Sequence, residues 1–111
     1  NTKDGSCIRD FIHVSDIAEI HYKVLEKIDK SNVSKILNCG YNKGVSVFEV
    51  AKSFKKQTHK KVEILVSEKR KGDLVKIIAS NTKLIKFIKW KPKFNNLNTI
   101  VKSCINWEKR Q

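Results

Sequence analysis

Residues 35–50 read KILNCGYNKGVSVFEV, and this stretch decides the fold class. Lys35 to Cys39 is rich in apolar residues and short enough to be a strand. Gly40-Tyr-Asn-Lys-Gly44 is a loop, and Ser46-Val-Phe-Glu49 has the Ser-x-x-Glu spacing of a helix capping box. Val47, Val50, Ala51 and Phe54 then fall on one helical face. Strand, glycine-bearing loop and amphipathic helix in succession are the grammar of an α/β protein.

Working outward, Val62–Val66 (VEILV) reads as the next strand, with Val62, Ile64 and Val66 on one face. Val75 to Ala79 reads as a further short strand. Asn81 or Ser80 caps a short helix carrying Leu84, Ile85 and Ile88. Trp90-Lys-Pro-Lys-Phe is a break, because proline disfavours helix at the residue before it. Leu97 to Lys109 is the last helix, with Leu97, Ile100, Val101, Cys104 and Ile105 on one side. Trp90 and Trp107 are read as packing residues that hold it to the body.

Toward the N-terminus, a turn at Asp4–Gly5 precedes extended segments at Cys7–Ile8 and Phe11–Val14. Asp16-Ile-Ala-Glu19 has capping-box spacing, and Ile17, Ile20, Val24, Leu25 and Ile28 follow with helical period. That helix is expected to reach about Lys30, with Ser31–Ser34 a polar connection.

The chain has 111 residues, room for one domain with a modest core. It is read as a single unit, 1–111. It contains no methionine, and a piece of a longer protein is expected. No apolar run approaches membrane-spanning length, and the default compartment is the cytoplasm. The formal charge of +13 and pI near 9.8 raise a nucleic-acid reading. The basic residues are nonetheless dispersed, and 21 of the 24 are lysine. Abundant Ile and Asn with scarce Pro and Gly point to an A/T-rich codon bias, so no specific nucleic-acid partner is expected.

Cys7, Cys39 and Cys104 stand far apart with no metal-ligand spacing, and partly buried reduced thiols are expected. His13, His21 and His59 likewise form no metal pattern, so no metal site is assigned. Asp10 and Asp16 flank His13, but a turn-stabilising Asp10 and a capping Asp16 are simpler readings than acid–base chemistry. The Gly40–Gly44 loop lacks dinucleotide and P-loop spacing and reads as a strand-to-helix turn. Of the three arginines, Arg9 and Arg70 remain as a candidate anion clamp. The rigid guanidinium fork suits phosphate or carboxylate in a way that lysine does not.

Four blocks in order carry a resemblance. DGSCIRDFIHVSDIAEIH (4–21) resembles the DGT-x-x-RDYIHV-x-D-L-A-x-x-H segment of UDP-glucose 4-epimerases, members of the extended short-chain dehydrogenase/reductase superfamily. ILNCGYNKGVSVFEV (36–50), KRKGDL (69–74) and KWKPKFNNLNTIVKSCINWEKR (89–110) are similar to later blocks of that family. The resemblance implies the C-terminal portion of a Rossmann-type enzyme, with mixed short strands and about four helices.

It also implies a function: interconversion of UDP-glucose and UDP-galactose through transient C4 oxidation by bound NAD. The family's glycine-rich motif and Tyr-x-x-x-Lys are not in this chain. NAD is therefore expected to be held mainly by an N-terminal part, no catalytic residue is assigned here, and the fragment by itself is expected to be inactive. Carried over by position, Arg9 and Arg70 match the arginines that grip the UDP diphosphate. Asp73 matches the acceptor for the ribose hydroxyls. Ile77 falls where the family sets room for a C2 substituent. Asn42 stands where the family often has glycine, which implies a turn with one left-handed residue.

A homodimer of the full-length enzyme is the expected assembly. The rival readings are another nucleotide-sugar epimerase or dehydratase, acting on UDP-glucuronate or UDP-GlcNAc, and a free-standing basic binding module.

Overall fold

A computed structural model describes residues 2–29, 34–58 and 61–111. In chain order it contains β1 (Ile8–Arg9), α1 (Val14–Asp29), β2 (Val45–Ser46), α2 (Val47–Thr58), β3 (Lys76–Ile77), α3 (Thr82–Ile88) and α4 (Leu97–Glu108). The strands form one small sheet in the order β2-β1-β3. β1 runs antiparallel to β2, pairing Ile8 with Ser46 and Arg9 with Val45. It runs parallel to β3, pairing Ile8 with Lys76 and Arg9 with Ile77. Short strands mixed with four helices make the α/β arrangement that the sequence leads one to expect.

α2 starts where its capping box says. Ser46 N donates to Glu49 Oε2 at 2.7 Å, and Glu49 N donates back to Ser46 Oγ at 3.0 Å. Ser46 Oγ also donates to Asp4 Oδ2 at 2.5 Å, tying the N-terminal turn to the cap. That hydroxyl, with the Ser6 amide, holds the Asp4 carboxyl below its usual range.

α1 departs from expectation. It begins at Val14, because His13 caps it: Ser15 N donates to His13 Nδ1 at 3.1 Å, and the His13 carbonyl accepts from Asp16 and Ile17. Asp16 is therefore no cap. It points inward, with none of its surface exposed. Glu19 closes no box either, pairing instead with Lys93 at 2.9 Å and Lys23 at 3.2 Å. Lys30, the expected end of α1, lies outside the described residues, as do 31–33 of the expected connection and His59.

The expected strands at Lys35–Cys39 and Val62–Val66 do not form. A strand needs a neighbour to satisfy its amides and carbonyls, and no described strand lies beside either run. Ile36 and Leu65 face outward instead, 93% and 84% exposed. β3 is shorter than Val75–Ala79 for the same reason, since pairing with β1 covers only two residues. Val75 still contributes, its carbonyl accepting from Ile8 N at 2.9 Å.

The core gathers Ile20 of α1, Tyr41, Leu84 of α3 and Trp90, with Ile12, Val24, Leu37, Ile88 and Ile100 packed around them. Trp90 stacks on Tyr41 with ring centroids 6.1 Å apart. Trp107 does not share this role, being 63% exposed near the end of α4. α4 is held instead through α2, where Ser53 Oγ donates to Asn98 Oδ1 at 2.9 Å. The thiols are all free, but Cys39 and Cys104 are exposed and only Cys7 is half-buried. Among the described residues no helix is long and apolar enough to cross a membrane.

Candidate functional site

The β1–β3 pairing brings Arg9 and Ile77 side by side at the last rung of the ladder. Just upstream of β3, Arg70–Asp73 forms a tight turn in which Asp73 N donates to the Arg70 carbonyl at 3.2 Å. Gly72 occupies that turn with φ of +88°, a backbone angle that side-chain-bearing residues resist. The turn returns Asp73 toward β1. Arg70 Nε donates to Asp73 Oδ2 at 2.9 Å and Arg70 Nη2 to Asp73 Oδ1 at 3.3 Å. Arg9 Nη2 lies 3.8 Å from the same Asp73 Oδ1.

Two guanidinium groups far apart in sequence thus converge on one carboxylate. Arg9 is anchored further, its Nη1 donating to the Ile8 carbonyl at 2.8 Å. The Arg70 side chain is 84% exposed, against 25% for Arg9 and 23% for Asp73. An ion pair this open is weak and readily exchanged, because water competes for each partner. The cluster carries one net positive charge and has Lys69 and Lys71 beside it in sequence. Guanidinium groups of this kind donate charge-assisted hydrogen bonds to anions, and here both turn to the Asp73 carboxylate. Ile77, half-exposed, borders the cluster with an apolar surface.

Behind this cluster the Gly40–Gly44 loop is already filled. Asp10, next after Arg9, accepts from Tyr41 N at 3.0 Å through Oδ1 and from Asn42 N at 2.9 Å through Oδ2. Asn42 has φ of +55°, the left-handed residue expected in this turn. Successive amides in such a turn make an anion-binding nest, and Asp10 supplies the anion from within the chain. The loop is therefore no seat for a cofactor's phosphates. Asp10 has the turn-stabilising role read from the sequence, but it also reaches Ala79 N at 3.3 Å, a contact with no signature in residue spacing.

Asp16 is the second internal anion. It accepts from Tyr41 Oη at 2.5 Å, from Lys93 N at 3.2 Å and from Phe94 N at 3.0 Å. His13 stacks on Phe94 with centroids 4.6 Å apart, and its amide donates to Tyr41 Oη at 3.1 Å. These partners leave Asp10, His13 and Asp16 as fixed structural groups. His21 lies on an exposed helix face with Nδ1 2.8 Å from the Ile17 carbonyl. Among the described residues no group of acidic, His and Cys side chains is arranged to hold a metal ion.

The architecture is that of a portion of an extended short-chain dehydrogenase/reductase, a Rossmann-type enzyme class whose solved epimerase members superpose on this chain. More particularly, residues 2–40 match the NAD dependent epimerase/dehydratase family. The chain is 36% identical over 109 residues to a UDP-glucose 4-epimerase of Azospirillum brasilense, covering 98% of this chain and 31% of that protein. It superposes on the UDP-Glc/GlcNAc 4-epimerase of Campylobacter jejuni with a TM-score of 0.89 at 40% identity, covering 100% of this chain and 33% of the other. A Bifidobacterium longum UDP-glucose 4-epimerase in complex with NAD+ and UDP gives a TM-score of 0.85 at 29% identity, with 100% and 32% covered. The chain spans about a third of the length of the relatives it matches. In sequence and in fold alike, it is similar to one third of a UDP-glucose 4-epimerase.

Proposed function

We propose that residues 1–111 form one unit, the C-terminal substrate-binding part of a cytoplasmic, homodimeric UDP-glucose 4-epimerase, and that this part grips the UDP moiety. The observation that carries the reading is the convergence of Arg9 and Arg70 on Asp73. A diphosphate carries more charge and more acceptor oxygens than one carboxylate, so it competes well for both guanidinium groups. Released from them, Asp73 becomes an acceptor for the ribose hydroxyls. Remote binding of this kind holds the hexose in place for reaction at C4.

NAD, held by the remainder of such an enzyme, supplies the hydride acceptor at C4. Among the described residues the glycine-loop nest is occupied by Asp10, which supports NAD being held mainly by the rest of the enzyme. The work of this chain's residues is to bind and orient, and by themselves they lack turnover. Ile77 beside Arg9 supports a pocket wall that sets the room for a C2 substituent.

The test is calorimetric titration of the full-length protein with UDP. Arg9→Ala and Arg70→Ala are each expected to weaken binding by ~1.5–3 kcal/mol, the worth of a charged hydrogen bond. Unchanged affinity in both variants overturns the clamp. Assays with UDP-galactose, UDP-GlcNAc and UDP-glucuronate then identify the sugar. Retention of a mixed-sequence oligonucleotide at physiological salt, with a steep salt slope, would instead favour a basic binding module.

A further inference from the structure

Arg9 lies at the end of a strand only two residues long, and so short a ladder is a poor anchor for a binding group. Its register partner Ile77 is at the end of an equally short strand. Beyond the ladder, the backbone is gathered onto one side chain. Asp10 Oδ2 accepts both from Ala79 N, two residues past Ile77, and from Asn42 N in the glycine loop. Asp10 Oδ1 accepts from Tyr41 N.

The loop is shaped to permit this. A Cβ at Gly40 would stand 2.6 Å from Asp10 Oδ2 and 2.6 Å from Ala79 Cβ, so glycine is required there. A Cβ at Gly44 would stand 2.5 Å from Ile8 Cγ2 and 2.7 Å from Ile78 Cδ1. The loop is thus pressed flat against the residues flanking both strands. The start of the loop is fixed as well, since buried Asn81 donates through Nδ2 to the Gly40 carbonyl at 2.9 Å.

The geometry points to Asp10 as a positioning residue for the proposed UDP site, acting through Arg9 and Ile77 by closing the β1–β3 pair beyond its last rung. Asp10 touches no ligand itself. Its carboxylate, seated in the nest of Tyr41 and Asn42 amides, extends the two-residue ladder and fixes the directions in which the Arg9 fork and the Ile77 side chain project. The glycine loop accordingly serves substrate binding indirectly, by holding an internal carboxylate rather than a ligand phosphate. The inference rests on the clamp reading of Arg9.

A double-mutant cycle in the full-length protein separates the possibilities. Asp10→Ala is expected to raise the KM for UDP-galactose and the Kd for UDP about tenfold, a loss of alignment rather than of a contact, with kcat changed less than about twofold. Asp10→Asn, which turns an amino group toward one donor, is expected to do the same by about threefold, and it decides the matter if the alanine variant does not fold. In an Arg9→Ala background the effect of either substitution on the Kd for UDP should vanish, because the group positioned against the diphosphate is gone, while Ile77 still bears on the KM for the sugar nucleotide. Additive losses of UDP affinity in that background, or a fall in kcat with KM unchanged, would reduce Asp10 to a general stabiliser and overturn the proposal. If Arg9→Ala alone leaves UDP affinity intact, the clamp reading fails first and this inference with it. If Arg9→Ala weakens UDP and neither Asp10 variant does, only this inference fails.

Discussion

Tyr41 Oη donates to Asp16 Oδ2 at 2.5 Å, joining the glycine loop to the first turn of α1 inside the core. Burial, and then the Asp16 carboxylate, push the Tyr41 hydroxyl from 10.0 up to about 12. The folded-state value lies above the unfolded one. The stability it contributes is therefore fully present below pH 10 and is lost as pH rises towards 12. Tyr41→Phe should cost ~1–3 kcal/mol at neutral pH by leaving Asp16 and the His13 amide short of a partner. In urea unfolding the gap to the unsubstituted protein should narrow above pH 10, and a constant gap across that window would contradict the assignment.

Arg70 offers a separation of stability from binding. Its side chain is largely in solvent, so its pair with Asp73 contributes little to folding. Arg70→Ala should shift unfolding stability by less than ~0.5 kcal/mol while weakening UDP by ~1.5–3 kcal/mol. Thermal unfolding without ligand and calorimetry with UDP read the two effects independently. A large loss of stability in the absence of ligand would mean that the arginine is structural.

Leu84 is fully buried among Ile20, Tyr41 and Trp90. Leu84→Ala should cost ~2–5 kcal/mol, the transfer term plus an unfilled cavity. Trp107→Ala, at an exposed position, should cost less than ~1 kcal/mol despite removing a larger side chain. Denaturant midpoints of the two variants test the ranking directly, and the reverse order would place the core elsewhere.

Ile36 and Leu65 project from runs that form no strand among the described residues, with Val66 and Leu74 also exposed near the second. Such runs offer open backbone edges and apolar patches to any neighbour. The 111-residue chain by itself should self-associate, and the Ile36→Ser, Leu65→Ser double substitution should suppress this. Light scattering across a concentration series provides the measurement. Equal scattering by both proteins would show that these runs are not the adhesive surface.

The helices were legible because their causes are local. The Ser46–Glu49 box closes within one turn, and the apolar spacing in α2 and α4 follows from helical geometry alone. Arginine chemistry sets Arg9 and Arg70 apart from the surrounding lysines for a similarly local reason, the planar guanidinium fork. The Asp16–Glu19 spacing misled because the same residues satisfy two different uses. A carboxylate near a helix start serves as a cap if it faces the free amides, and as a core anchor if another segment covers it. His13 took the amide, and Tyr41, Lys93 and Phe94 took Asp16.

By itself the sequence determined the α/β class and the positions of α2 and α4. Tertiary structure alone decided that Lys35–Cys39 and Val62–Val66 stay unpaired, that Trp90 is buried while Trp107 is not, and that both arginines meet at Asp73. The division has one physical cause. Capping and periodicity are settled among residues within a turn or two of each other. Strand pairing, burial and the approach of Arg9 to Asp73 depend on which distant segments arrive, and residue spacing carries no record of that.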